Sequence, residues 1–142
     1  MARFLVALSL LVTFGGETLS AEEPNVRKYP VQMSATIKKL GQTGQQQVVI
    51  KLTIKQGIHI YAGHVGSEML KSNATRVALK NADKTLIAAK VDYPTGMKME
   101  NEFLGDFFVY KDTVTIRVTI DRKDNNTPIT IQCRVMGFHP TY

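Results

Sequence analysis

The apolar residues of this sequence recur with a period of two, and that period constrains the fold more than any other feature. Four long stretches place an apolar residue at every second position with polar residues between, namely 31–38, 48–55, 114–120 and 129–135. Successive side chains of a β-strand point to opposite faces, so each stretch predicts a strand with one buried face. Four shorter strands are predicted at 59–62, 75–80, 87–93 and 107–110.

Turn-forming residues separate the predicted strands. Glycine, proline, asparagine or aspartate occurs at 41–44, 56–57, 81–83, 94–96 and 124–126. Residues 64–72 follow neither a strand nor a helix period and are predicted to form a short irregular connection. About eight short strands at this spacing, without a helical pattern, predict an all-β fold built as an antiparallel β-sandwich.

The N-terminal residues have the pattern of a secretory signal peptide. Arg3 provides a positive charge, residues 4–14 are apolar, and Ser20 and Ala21 are small residues suited to signal peptidase. The apolar run is shorter than the roughly 20 residues of a membrane span, so a retained anchor is the less favoured alternative. We expect an exported, periplasmic protein with no transmembrane segment after cleavage, divided into a signal peptide at 1–21, a flexible lead-in at 22–30 and one sandwich domain at 31–142.

The net charge of +6 comes from 18 lysine and arginine residues against 12 acidic residues. Most of the lysines fall on the polar positions of the alternating stretches, where they are expected to face solvent. No basic run is interleaved with aromatic residues, and export would separate the protein from nucleic acid. Nucleic-acid binding is therefore not expected.

The sequence contains no short motif of phosphate-binding, metalloprotease, Cys-x-x-Cys or serine-hydrolase chemistry. His59, His64 and His139 lack the spacing of metal ligands, and the carboxylates of Glu100 and Glu102 are expected to be solvated. No metal or cofactor is predicted, and an enzymatic role is disfavoured.

Cys133 is the single cysteine, so the chain cannot form an internal disulfide. Its parity places it with Ile129, Ile131 and Val135 on the apolar face of the last strand, which predicts a buried, unreactive thiol. If the strand ended early, Cys133 would instead lie near the rim as a reactive thiol or an intermolecular partner.

The connection at residues 96–106 carries four large apolar side chains, those of Met97, Met99, Phe103 and Leu104. Apolar side chains in a loop either fold back over the core or form a contact surface. The pattern alone leaves both interpretations open.

Two stretches resemble the N-terminal periplasmic domain of the thiol:disulfide interchange protein DsbD. Residues 94–114, PTGMKMENEFLGDFFVYKDTV, are similar to the family's loop and following strand, and residues 54–62, IKQGIHIYA, are similar to a strand with a Gly-x-x-x-Tyr pattern. The resemblance extends over roughly 31–140. It implies an immunoglobulin-like sandwich of a family that carries electrons from a membrane-embedded partner to periplasmic thioredoxin-fold proteins.

The resemblance also implies the position of a site. In the family, a short cap loop with a phenylalanine covers a cysteine pair and moves aside when a partner docks. Here the cap falls on residues 102–105, with Phe103 as the lid and Glu102 as the acid beside it. The implied partner-binding residues are Glu102, Phe103, Leu104, Gly105, His59, Tyr61 and Met136.

The family's cysteine pair has no counterpart in this chain. Aligned by strand parity, Met136 takes the position of the first cysteine and Tyr142 that of the second. A shifted alignment places Cys133 and His139 there instead, but it breaks the alternation of buried and exposed positions. Neither alignment provides a dithiol, and thiol–disulfide exchange needs a second thiol to resolve the mixed disulfide.

We therefore expect a periplasmic DsbD N-terminal-like domain that has lost electron transfer and acts as a partner-binding module. Its expected partners are thioredoxin-fold periplasmic proteins or a DsbD-like membrane protein. One alternative is a redox-active protein that uses Cys133, alone or with a cysteine further downstream. The other is a structural envelope sandwich without a cap function.

Overall fold

A computed structural model describes residues 3–12, 30–40, 44–122 and 128–140 of the chain. These ranges contain ten strands and one short 3₁₀ helix, Glu68–Asn73. The strands are β1 Arg3–Val12, β2 Val31–Leu40, β3 Gln45–Ile54, β4 His59–Tyr61, β5 Arg76–Lys80, β6 Ala89–Asp92, β7 Met97–Met99, β8 Phe107–Tyr110, β9 Thr113–Asp121 and β10 Ile129–Phe138.

The strands form two sheets packed face to face. The four-stranded sheet has the order β2-β3-β9-β6, and the six-stranded sheet has the order β1-β10-β4-β8-β7, with β5 also paired to β10. Strands β5 and β4 pair with successive parts of β10, at 130–134 and 137–138. Every strand pair is antiparallel. The predicted antiparallel, immunoglobulin-like sandwich is confirmed.

The core lies between the two sheets and follows the predicted alternation. Along β3, Val48, Ile50 and Leu52 are fully buried, whereas Lys51 and Thr53 between and beyond them are exposed. Strand β9 repeats the pattern and pairs with β3 in register, with Ile50 opposite Ile116. Each buried aliphatic side chain of this size stabilises the fold by about 1.5–3 kcal/mol, so the period-two pattern fixes the register.

Several turns predicted from composition also occur. Gly57 and Gly44 adopt positive φ angles of 86° and 77°, which glycine accepts without steric cost. The turn predicted at 124–126 and most of that at 41–44 lie outside the described residues, as do residues 22–29 of the predicted lead-in.

Three local details differ from the sequence-based expectation. Met97–Met99 forms a short strand, because its backbone pairs with β8. The 64–72 connection contains the beginning of the 3₁₀ helix, which buries Leu70. The strand predicted at 87–93 is shorter, Ala89–Asp92, and is preceded by an isolated bridge between Leu86 and Lys80.

The segment with the signal-peptide pattern contributes the edge strand β1 of the six-stranded sheet. It pairs with β10 over its whole length and has its own period of two, since Val6 is buried in the core and its neighbour Leu5 is exposed. Cleavage after Ala21 remains a prediction. Within the described ranges, no helix is long and apolar enough to cross a membrane.

Candidate functional site

A second hydrophobic cluster lies on the outer face of the six-stranded sheet, which we call the outer cluster. Its buried members are Tyr61, Val65, Leu70, Ala74, Phe107, Val109 and Phe138, and Met99, Leu104 and Met136 pack against it half-buried. Met136 and Phe138 have the opposite parity to Cys133 and Val135 on β10, and the latter two belong to the inter-sheet core. The two faces of this sheet are therefore both apolar at one end.

Aromatic contacts organise the outer cluster. The ring centroids of Tyr61 and Phe138 are 5.1 Å apart, those of Tyr61 and Phe107 5.9 Å, and those of Phe107 and Phe138 6.5 Å. His59 meets Phe138 edge-on at 5.7 Å. Separations of this size are typical of favourable aromatic pairs, so four rings from three strands form one packed surface.

The surroundings shift the pKa of two ionisable groups of this surface, His59 and Tyr61. Burial lowers the pKa of His59 below 6.5, with a further lowering from Lys111 that Asp112 partly opposes. Burial raises the pKa of Tyr61, against the effect of the nearby Arg3 guanidinium. His59 Nδ1 is buried and neither accepts nor donates a hydrogen bond within the part of the chain that is described. Both groups are therefore uncharged at neutral pH.

Residues 100–106 form an ordered turn beside the outer cluster. The Asn101 side-chain oxygen accepts hydrogen bonds from the backbone N–H groups of Phe103 at 2.8 Å and Leu104 at 2.9 Å. The backbone N–H of Gly105 donates to the Asn101 carbonyl at 3.0 Å, and Gly105 has a positive φ of 75°. This Asx-type arrangement fixes the loop by its own side chain.

Two further contacts attach this loop to the sandwich. Ser67 Oγ donates a 2.6 Å hydrogen bond to the Leu104 carbonyl, and the Lys98 ammonium lies 3.2 Å from the Asp106 carboxylate. The first of these brings the loop against the segment that precedes the 3₁₀ helix. The loop therefore has a defined position relative to the cluster.

The ordered turn sends its two large apolar side chains in different directions. Leu104 packs on the outer cluster, whereas Phe103 is 88 % exposed. Met99 packs on the cluster and Met97 is exposed, so the two interpretations of the apolar connection each apply to half of its residues. Leu104 is the loop side chain that covers the cluster, and Phe103 points away from it.

The structure brings most of the residues implied by the family resemblance to one end of the six-stranded sheet. Tyr61, Leu104 and Met136 belong to or pack on the outer cluster, and His59 contacts it through Phe138. Glu102, Phe103 and Gly105 lie on the adjoining loop, with Glu102 exposed.

Sequence reasoning missed several residues of this site, namely Phe107, Phe138, Leu70, Asn101 and Ser67. A signal for the first two was present, since residues 107–110 are all apolar or aromatic and the end of β10 departs from alternation. A continuous apolar run indicates a strand buried on both faces. Asn101 and Ser67 act through contacts with backbone atoms, for which the sequence carries no comparable pattern.

Cys133 lies on the other face of β10 and is 1 % exposed. Desolvation by burial raises the pKa of the Cys133 thiol to about 12. β10 continues unbroken to Phe138, so the parity on which the preferred alignment rests is maintained to the position of Met136. The only thiol of the chain and the outer cluster are therefore on opposite sides of a sheet.

The same part of the molecule offers little for a metal. Among the described residues, no three His, Cys, Asp or Glu side chains gather in a way that could hold an ion. The arrangement that remains is an apolar, aromatic surface with an ordered loop and an exposed phenylalanine.

Comparison with known proteins assigns the chain to a family. No curated protein gives a significant match to the chain. The family model described as the N-terminal domain of the thiol:disulfide interchange protein DsbD matches residues 28–137, which is well over half of the sequence. The chain therefore belongs to the family of DsbD N-terminal domains, and its single cysteine means that the family's cysteine pair is not retained.

Proposed function

We propose that this protein is a periplasmic partner-binding domain that has lost electron transfer and binds thioredoxin-fold proteins through residues 100–106 and the outer cluster. Family membership supports a role related to thiol–disulfide interchange. The periplasmic location is part of the proposal, supported by the periplasmic character of the family and by the signal pattern of residues 1–21.

The chemistry of Cys133 supports the proposed loss of electron transfer. Exchange proceeds by attack of a thiolate and resolution by a second thiol, and this chain has one cysteine. Burial raises the pKa of the Cys133 thiol to about 12, so the thiol is protonated at pH 7. Its burial also weighs against the alternative in which Cys133 acts as a reactive thiol.

The observation that carries the binding proposal is an exposed phenylalanine on an ordered loop. A large aromatic side chain that is 88 % exposed gains nothing for the isolated fold, whereas aromatic anchors dominate protein interfaces. The hydrogen bonds to Asn101 already order the backbone at Phe103 in the free protein. The loop would therefore lose little conformational entropy when a partner binds. The alternative of a purely structural envelope module leaves this exposure unexplained.

The test is titration calorimetry with a purified periplasmic thioredoxin-fold protein, comparing wild type, Phe103→Ala and Leu86→Ala. Leu86 is a suitable control because it is also strongly exposed, at 70 %, and lies on a different connection. We expect Phe103→Ala to weaken binding at least about tenfold, or about 1.4 kcal/mol, and Leu86→Ala to leave it unchanged. Equal binding by wild type and Phe103→Ala would contradict the proposal.

A further inference from the structure

The edge strand β1 occupies a well-defined position on β10. All ten of its residues are in antiparallel register with β10, from Arg3 opposite Phe138 to Val12 opposite Ile129. Val6 is 7 % exposed and belongs to the inter-sheet core, and Phe4 and Leu8 pack against that core from the same side. β1 therefore completes both the hydrogen-bonded ladder of β10 and one side of the core.

The position also has features specific to the side chains at the start of β1. A Cβ atom at Gly137 would overlap the ring of Phe4, so the glycine provides the space for that ring. The Arg3 guanidinium lies 5.9 Å above the centre of the Tyr61 ring, at cation–π distance. This edge of β10 thus fits a segment with a cation, an aromatic residue and then apolar residues at alternate positions.

The same ten residues fall within the predicted signal peptide. Cleavage after Ala21 would remove β1 as a unit and leave the edge of β10 without its ladder partner. It would also remove the side chains of β1 that pack on the inter-sheet core beside β10, those of Phe4, Val6 and Leu8. An unpaired edge beside an open apolar strip is a strong template for another strand.

We propose that this edge of β10 is a strand-acceptor site, which after removal of residues 1–21 binds an extended apolar segment of another polypeptide antiparallel to β10. The incoming segment has the chemistry that β1 displays, with apolar residues at every second position and an aromatic residue opposite Gly137. Main-chain hydrogen bonds would supply affinity and the alternate side chains specificity, as in other strand-addition complexes.

We assign this site to a segment of a partner polypeptide, because the other strands that the structure describes are already paired within the two sheets. Residues 22–30 carry Pro24 and Pro30, which lack the N–H that a ladder requires. The site is separate from Phe103 and does not depend on the proposed partner-binding loop.

The experiment uses the full chain with a protease site inserted between residues 17 and 18 and cut after folding. A fluorescent synthetic peptide of residues 2–13 with a solubilising lysine tail is then added in excess, and its incorporation is followed by anisotropy and gel filtration. Two variant peptides form a matched pair, Val6→Lys on the buried face and Leu5→Lys on the face where Leu5 is 52 % exposed.

We expect the wild-type and Leu5→Lys peptides to replace the nicked segment and the Val6→Lys peptide to bind at least tenfold more weakly. Equal binding of the two variants, or no replacement by any peptide, would overturn the proposal. Because the nicked segment is replaced and never stripped away, the measurement does not require the open form to be stable.

Phe103→Ala is expected to leave replacement of the nicked segment by the peptides unchanged, so failure here is distinguishable from failure of the proposed function.

Discussion

Among single residues, Asn101 has the largest influence on the proposed binding loop. Its side-chain oxygen is the shared acceptor for the N–H groups of Phe103 and Leu104, and its carbonyl accepts from Gly105. These bonds, with the Ser67 bond to the Leu104 carbonyl, hold the loop backbone in the conformation in which Leu104 packs on the outer cluster and Phe103 is exposed. We therefore expect the identity of residue 101 to affect the proposed binding, although its own side chain is turned to the loop backbone.

We predict that Asn101→Ala weakens partner binding while Phe103 is still present. Loss of the acceptor should cost about 1 kcal/mol of stability and allow the loop to leave its bound-like conformation. Asn101→Asp is the control, because a carboxylate retains the acceptor. Calorimetric titration and urea unfolding measure the two effects, and wild-type affinity for Asn101→Ala would show that the loop is not pre-ordered by this residue.

His59 gives the stability of the fold a pH dependence of known sign. Its folded pKa is lowered, chiefly by burial, below the ordinary value of 6.5. Above 6.5 it is neutral in both states and the full stability is present. As the pH falls, the unfolded chain takes up the proton first, so stability is lost from about pH 6.5 downward through the folded pKa.

We therefore predict that the free energy of unfolding falls less between pH 7.5 and 5.5 in His59→Gln than in wild type. Glutamine keeps a polar side chain of similar length without a titrating proton in this range. Urea unfolding at the two pH values gives the comparison. An identical decrease in both proteins would mean that His59 contributes nothing to the pH dependence.

Among the elements, β10 shows most clearly which structural features the sequence predicts and which it does not. The alternation of residues 129–135 predicts a strand with Cys133 inward, and the structure confirms both. The next three residues depart from the pattern, because the strand continues into a region where both of its faces are covered. Parity places Cys133, and the break in alternation marks the end of β10 as unusual, but the rings that surround Phe138 are identified only by tertiary packing.

The short elements were the hardest to predict, for a related reason. β7 has three residues, too few to display a period of two, and it exists because β8 offers a hydrogen-bonding edge. The apolar composition and position of residues 3–12 predict part of a signal peptide. Their alternation becomes apparent only from the structure, in which Val6 is buried and Leu5 is exposed. The position of the loop around Phe103 came from the family resemblance, and its orientation required the structure.

The outer cluster predicts a large difference between two identical substitutions. Phe138 is buried among Tyr61, Phe107 and His59, so Phe138→Ala should cost about 3–5 kcal/mol. Phe103→Ala removes the same atoms from an exposed position and should cost about 0.5 kcal/mol or less. Urea unfolding of both variants tests this, and similar losses would mean that the cluster is not a packed part of the fold.

At the scale of the whole molecule, the six-stranded sheet separates two regions with different properties. Its inner face encloses Cys133 in the core between the sheets, and its outer face carries the aromatic cluster and the loop of Phe103. A partner that docks on the outer face therefore meets no thiol there. This separation, together with the single cysteine, supports the proposed binding role without electron transfer.

Alkylation of Cys133 in the full chain, followed by mass spectrometry and compared with the chain unfolded in urea, gives a direct test of the proposed loss of redox chemistry. We predict labelling at least about 100-fold slower in the folded protein, since the thiol is buried and protonated. A folded chain labelled within a few-fold of the unfolded rate would place the thiol within reach of partners and contradict the loss of redox chemistry.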